Sequence, residues 1–318
     1  MKIESVCVIG AGTIGSLCAG HLSRVAEVSV ITRRAEQALA LRRAGLTISG
    51  KSTLHADLLA ATGPADVPPA DLVVVATKGT QVEGVAASLE GCFPNAVVMT
   101  IQNGLGAEEA LARHGDWPLV SSVTFMSGTR QSDTHVHYEL DTATWMGPFH
   151  PSGILLEIVE TVGGLFTASG LEVKVMPDVR PAQWSKLIFN ASVSSVAAVT
   201  DLPHVNLFER REEPADLGHL VFDLIAEGKA VAAASGVELL EDPWDMNVQA
   251  IQRGSTHDDA YAHVPSMLVD IRSGHRTEID TILGPVVSAG RRLGVPVPLS
   301  EALYRLVKAR DRWWEAEE

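Results

Sequence analysis

The tightest constraint on this chain comes near its start. An apolar run, Ser5–Ile9, stops at Gly10-Ala11-Gly12-Thr13-Ile14-Gly15, and residues 13–24 then carry Ile14, Leu17, Cys18 and Leu22 on one helical face. A strand, a glycine-rich turn and an amphipathic helix in that order form a dinucleotide-binding unit. The first glycine permits the tight turn, and the second lets a pyrophosphate approach the backbone. The third allows helix and strand to pack closely, and the diphosphate rests on the helix N-terminus. The expected cofactor contacts are therefore Gly10, Gly12, Thr13, Ile14 and Gly15. A GxGxxG alone is a weak signal; its place between a buried strand and a helix gives it meaning.

The rest of the first half repeats the alternation. Val28–Ile31, Leu72–Ala76 and Val97–Ile101 read as strands, with Thr144–Met146 and Glu172–Val175 as shorter ones. Strands alternating with helices predict right-handed βαβ units, hence a doubly wound, mostly parallel α/β sheet of Rossmann type. From about Val179 the pattern turns helical. Pro181 suits the first turn of a helix through Lys186 and Asn190, and residues 214–235, 266–292 and 299–312 read as further helices. The expectation is a Rossmann domain over residues 1–177 and an all-α substrate and catalytic domain over residues 178–318.

An NAD-preferring fold places Asp or Glu after the second strand. Here Thr32-Arg33-Arg34 stands instead. A guanidinium can bind a 2′-phosphate bidentately, where a carboxylate would repel it. Arg33 and Arg34 thus point to NADP (NADPH); the bland alternative is a pair of solvated arginines at a strand end. The net charge of -14 disfavours nucleic acid and anionic membranes, so any anionic ligand needs a few well-placed cations. No apolar stretch suits a membrane span, and no signal peptide is evident. Cys7, Cys18 and Cys92 lack metal-like spacing, which together with the other signs suggests a reducing cytoplasm.

Two loops after strands should reach the carboxyl ends of the sheet, Thr77-Lys78-Gly79 and Gln102-Asn103-Gly104. Lys78 is either an ordinary surface lysine or one aimed at a ligand. Further on, Lys186, Asn190 and Ser194 fall at i, i+4 and i+8, so one helix face presents all three. A lysine among Leu187, Ile188 and Val193 is costly unless it has a partner or a task. Arg276-Thr277-Glu278-Ile279-Asp280 likewise puts carboxylates into an apolar segment. On spacing alone, catalysis and a structural ion pair are equally good readings.

Several stretches together resemble the ketopantoate reductase family. They are Val8–Gly15, Thr77-Lys78, Ile101-Gln102-Asn103-Gly104-Leu105-Gly106, Trp184-Ser185-Lys186-Leu187 followed by Asn190, and Ser266–Ile271. Thr277-Glu278-Ile279-Asp280 and Gly294-Val295-Pro296-Val297-Pro298 complete the series. The resemblance implies NADPH-dependent reduction of 2-dehydropantoate to pantoate, a step of pantothenate biosynthesis. It assigns Lys186 as the general acid and Glu278 as the group orienting the substrate hydroxyl. Ser266 would bind the substrate carboxylate, while Asn103, Lys78, Asn190 and Ser194 would line the site. Asn103, Lys78 and Glu278 would also border the cofactor. The residue types suit the chemistry, because charge building on a reduced carbonyl oxygen is both stabilised and protonated by a positioned ammonium.

Two departures from the family pattern stand out. Ser194-Ser195 occupies the place of an Asn followed by Pro, and Thr281-Ile282-Leu283-Gly284 replaces Tyr-Ile-Asn-Gly. They leave open a related reductase acting on another small 2-oxo acid, and a catalytically silent NADP-binding protein as a third reading. Trp313 and Trp314 either cap the core or join two copies in a homodimer.

Overall fold

Successive side chains of a strand face opposite ways, so a sheet covered on both sides needs apolar residues at consecutive positions. β1 (Ser5–Ile9) meets that need: Val6 and Val8 join one apolar cluster, Cys7 and Ile9 another. The computed structural model describes residues 2–208, 216–254 and 264–313. Two units are seen, Met1–Gln102 with Gly106–Val179, and Asn103–Leu105 with Arg180–Glu318.

In the first unit β1 is followed by α1 (Thr13–Leu22), β2 (Glu27–Ile31), α2 (Ala35–Ala44), β3 (Leu46–Gly50), β4 (Leu54–Ala56) and β5 (Leu59–Ala61). Next come β6 (Leu72–Val75), α3 (Val82–Ser88), β7 (Val97–Thr100) and α4 (Ala107–Ala112). β8 (Leu119–Thr124), β9 (Ser127–Ser132), β10 (His135–Leu140), β11 (Thr144–Pro148), α5 (Leu156–Ser169) and β12 (Val173–Val175) complete it. The main sheet has the order β12-β11-β8-β7-β6-β1-β2-β5, and only β11 against β8 is antiparallel. The expected doubly wound, mostly parallel architecture is thus observed. Its strand order reverses at β1, with β2 on one side and β6 on the other. Such a switch point opens a crevice at the carboxyl ends of the strands.

A second sheet, β4-β3-β10-β9, has no counterpart in the sequence reading. Its strands are short, and Leu46, Ile48, Val136 and Tyr138 are buried while the intervening Thr47, Ser49, His135 and His137 are less so. This half-polar alternation gives a weaker signal than the continuous runs of β6 and β7. The buried side packs on α1, where Ile48 and Leu54 lie against Gly20.

The second unit is helical: α6 (Arg180–Thr200), α7 (Leu217–Ala234), α8 (Pro243–Gly254), α9 (Ser266–Arg272), α10 (Ile279–Ile282), α11 (Gly284–Leu293) and α12 (Pro298–Trp313). α6 lies in its core, with Leu187, Ile188, Ala191 and Val196 packed among Val221, Leu224 and Ile225 of α7. Each buried Leu, Ile or Val among them contributes roughly 1.5–3 kcal/mol of burial. The helix expected over 266–292 is instead three. Gly274 takes φ +65° and His275 N–H donates to Asp270 O at 2.9 Å, a left-handed stop for α9. Pro285 then starts α11, where its missing N–H costs nothing. α8 was not anticipated. The Trp313 side chain and Trp314 lie outside the described residues, and no helix among those described is long and apolar enough to cross a membrane.

Candidate active site

In the first unit the three motif glycines have separate physical roles. Gly10 has φ +105°, and a Cβ there would sit 2.9 Å from the backbone of Ala76 and Thr77, so the turn presses on the end of β6. A Cβ on Gly15 would stand 1.9 Å from the Gly10 carbonyl oxygen, which makes glycine a condition of helix–strand contact. A Cβ on Gly12 would meet nothing within 4 Å. The fold does not need glycine at that position, whereas a ligand approaching the backbone would. Gly12 also begins α1 with no side-chain cap, leaving the N-terminal amides of Thr13 and Ile14 without that competitor. These features fit a dinucleotide diphosphate.

The surroundings hold this turn in place. Gln37 Nε2 donates to Ala11 O at 2.9 Å, and Thr32 Oγ1 donates to Gln37 Oε1 at 2.7 Å, linking the end of β2 to the glycine turn. The two arginines that follow differ in their partners. Arg34 is paired with Asp133, whereas exposed Arg33 makes no ion pair among the described residues. Lys78 is exposed after β6, at the start of a short 3-10 turn, Gly79–Gln81. Two neighbours carry roles that no sequence pattern marks. Thr77 Oγ1 is buried with no hydrogen-bond partner among the described residues, beside the Gly10 turn. Gln102 donates to Val75 O at 2.7 Å and Thr77 O at 3.2 Å, bracing the end of β6.

The second unit gathers the remaining candidates. α6 presents Lys186, Asn190 and Ser194 along one face; Lys186 and Ser194 are buried and Asn190 is half-buried. Lys186 is only 7% exposed. Burial pulls its ammonium down to about 7, while the charge of Glu278 acts the other way and favours the protonated form. Glu278, 8% exposed, occupies the N-cap of α10.

The loop at Asn103 belongs to this same unit. Leu105 N–H donates to Thr281 O at 3.0 Å, and a Cβ on Gly104, which has φ +92°, would come within 2.1 Å of that oxygen. Only glycine lets half-buried Asn103 be carried so close to α10. Ser266 is exposed at the start of α9. The structure thus places Asn103, Lys186, Asn190, Ser194, Ser266 and Glu278 in the second unit, and the glycine turn, Arg33, Arg34 and Lys78 in the first. Of the departures from the family pattern, Leu283 is buried in the apolar core rather than available to a ligand.

Comparison with known proteins gives matches over most of the chain. A family model described as ketopantoate reductase PanE/ApbA matches residues 6–151, and one described as its C-terminal part matches residues 178–311. The 2-dehydropantoate 2-reductase of Bacillus subtilis is 30% identical over 312 residues, covering 96% of this chain and 97% of that one. A PanE/ApbA family ketopantoate reductase from Ralstonia eutropha has TM-score 0.86 at 26% identity, covering 98% and 100% of the two chains. D-mandelate dehydrogenase, solved with NADH and anilino(oxo)acetate, shares the fold with TM-score 0.85 at 20% identity, over 98% and 100%.

Proposed function

This chain belongs to the ketopantoate reductase (PanE/ApbA) family, and from that premise we propose that it reduces 2-dehydropantoate to pantoate with NADPH. The observation that carries the proposal is Lys186. A lysine sealed into an apolar helix and brought to about 7 is unfavourable as a structural element, but suits a group that must give up a proton near neutral pH.

Gly10, Gly12, Thr13, Ile14 and Gly15 would hold the diphosphate, and Arg33 the 2′-phosphate, because Arg34 is already engaged by Asp133. When bound, the nicotinamide supplies the hydride. Lys186 Nζ stabilises the charge that builds on the substrate's carbonyl oxygen and protonates it, a contribution of typically about 10²–10⁴-fold. Glu278 holds the substrate hydroxyl, and its charge favours the protonated form of Lys186 against the effect of burial. Ser266 takes the substrate carboxylate, while Asn103, Asn190 and Ser194 shape the pocket around the reacting carbon. The three free cysteines agree with a cytoplasmic enzyme.

A second reading, reduction of a different 2-oxo acid, is favoured by Ser194. Its short hydroxyl stands on the Lys186 face of α6 where the family pattern has an amide, so that face offers a shorter reach and no amide donor. The D-mandelate dehydrogenase was solved with anilino(oxo)acetate, so this fold can hold an oxoacetate unlike ketopantoate. Loss of reduced-nicotinamide absorbance with a panel of branched and aromatic 2-oxo acids tests both readings. A kcat/KM for 2-dehydropantoate well above the rest supports the first, and a higher value for another member supports the second. Cofactor binding without turnover of any member would reduce the chain to a silent binder.

A further inference from the structure

Glu278 opens a helix of only four residues, Ile279–Ile282, too short to hold itself in place. Its position must come from tertiary ties, and among the described residues a set of side-chain hydrogen bonds to it and its flanks comes from one helix. Tyr304, Lys308 and Asp311 of α12 are spaced i, i+4 and i+7, along a single stripe. Tyr304 Oη donates to Asp280 Oδ1 at 2.6 Å, and Lys308 Nζ donates to Asp280 Oδ2 at 2.7 Å. Burial pushes the Asp280 carboxyl up, but these two partners outweigh it and hold the group below its ordinary value.

On the other side of Glu278 the tie is more buried. Asp311 accepts from Thr277 N–H at 3.1 Å and from Thr277 Oγ1 at 2.9 Å, with Thr277 2% and Asp311 3% exposed. Thr277 Oγ1 in turn accepts from Ile279 N–H at 3.3 Å, so one hydroxyl spans Glu278 from both sides. Among the described residues Asp311 is not half of an ion pair; both its oxygens are spent on Thr277. Sinking a lone carboxylate to hold one threonine is costly unless the position of that threonine matters.

We propose that Asp311, acting through Thr277, is a positioning residue for the reductase: the clamp fixes Glu278 against Lys186 and the substrate hydroxyl. This deepens the proposed reductase reading and rests on it. Active-site groups need outer partners that lock their geometry, and a displacement of about 1 Å can cost on the order of 10²-fold in rate. Because the Glu278 charge favours the protonated form of Lys186, a displaced Glu278 also lets Lys186 lose its proton at lower pH.

The test compares Thr277→Val, Thr277→Ser and Asp311→Asn with the wild-type protein. Each is assayed for kcat, KM for the best 2-oxo acid, the pH profile of kcat/KM and a thermal melt. Thr277→Val keeps the shape and the backbone N–H to Asp311 but loses the hydroxyl, and Asp311→Asn removes the charge, so the two melts separate loss of fold from loss of position. Thr277→Val and Asp311→Asn should lower kcat/KM about 10- to 100-fold, raise KM, and move the alkaline limb of the profile to lower pH. Thr277→Ser, which retains the hydroxyl, should restore the wild-type profile. Lower melting temperatures with unchanged kcat/KM and an unmoved limb would overturn the proposal and leave α12 a structural brace. A wild-type protein that binds NADPH yet reduces no 2-oxo acid would overturn the reductase reading and this inference with it.

Discussion

Lys186 should make stability and activity move in opposite directions with pH. The folded protein holds its proton only below about 7, whereas the unfolded chain holds one up to 10.5. Where the unfolded state binds more protons, stability rises with pH. The Lys186 contribution is therefore least favourable at and below about 7, improves as pH rises, and is complete above 10.5. At about 1.4 kcal/mol per pH unit, raising the pH from about 7 to about 9 should relieve on the order of 3 kcal/mol. Over the same interval the general acid is lost, so kcat/KM should fall about tenfold per pH unit above the limb.

Denaturant melts at several pH values, for wild type and for Lys186→Met/Glu278→Gln, isolate this contribution, because the double variant has neither charge. The window should stop near pH 9. Burial raises the thiols of Cys7 and Cys18 to about 11 and about 12 from 9.0, and such groups cost stability once the unfolded chain ionises them. The double variant should lack the rise with pH, since no buried ammonium remains to lose its proton. It should also be catalytically dead. A wild-type kcat/KM that stays flat from about pH 7 to about pH 9, or identical pH slopes of stability for the two proteins, would refute the reasoning.

Arg33→Ala should cost NADPH about tenfold to a hundredfold in kcat/KM, the scale of a lost charge-assisted hydrogen bond, and leave NADH unaffected. Arg34→Ala should change the cofactor ratio little, and equal wild-type use of the two cofactors would refute both expectations. Gly12→Ala should fold with a near wild-type melt but lose cofactor affinity in a titration, because its Cβ meets only open space in the protein. Gly10→Ala should instead lower the melting temperature, as it combines φ +105° with backbone atoms at 2.9 Å. Ser194→Asn should shift the panel of 2-oxo acids toward 2-dehydropantoate; an unchanged ranking would show that this position is silent.

How much of this was legible beforehand depended on the range of the interactions. Residues 5–15 reveal their strand, turn and helix because continuous apolar residues, three glycines and a periodic stripe are local patterns. The parallel sheet follows from repetition of that pattern. The four-stranded sheet of β3, β4, β9 and β10 escaped, because three- to six-residue strands with polar alternate positions resemble loops until their partners are known. The break at Gly274 and Pro285 was visible as residue types, but the apolar spacing on either side argued for one continuous helix.

The candidate site divides in the same way. The sequence by itself determined the three glycine roles, the absence of an acidic residue after β2, and the shared face of Lys186, Asn190 and Ser194, since these depend on spacing along one element. Only the tertiary structure decided that Arg34 is taken by Asp133, ninety-nine residues away, while Arg33 is left without an ion pair among the described residues. It also decided that residues 103–105 belong with the helices rather than with the sheet that precedes them. The protonation of Lys186 is of the same kind, because desolvation depends on what packs around the ammonium and not on its neighbours in sequence. Asp311 is the clearest case: nothing in Ala309-Arg310-Asp311-Arg312 marks a buried carboxylate, and it acquires a role only when α12 lies against Thr277, thirty-four residues earlier in the chain.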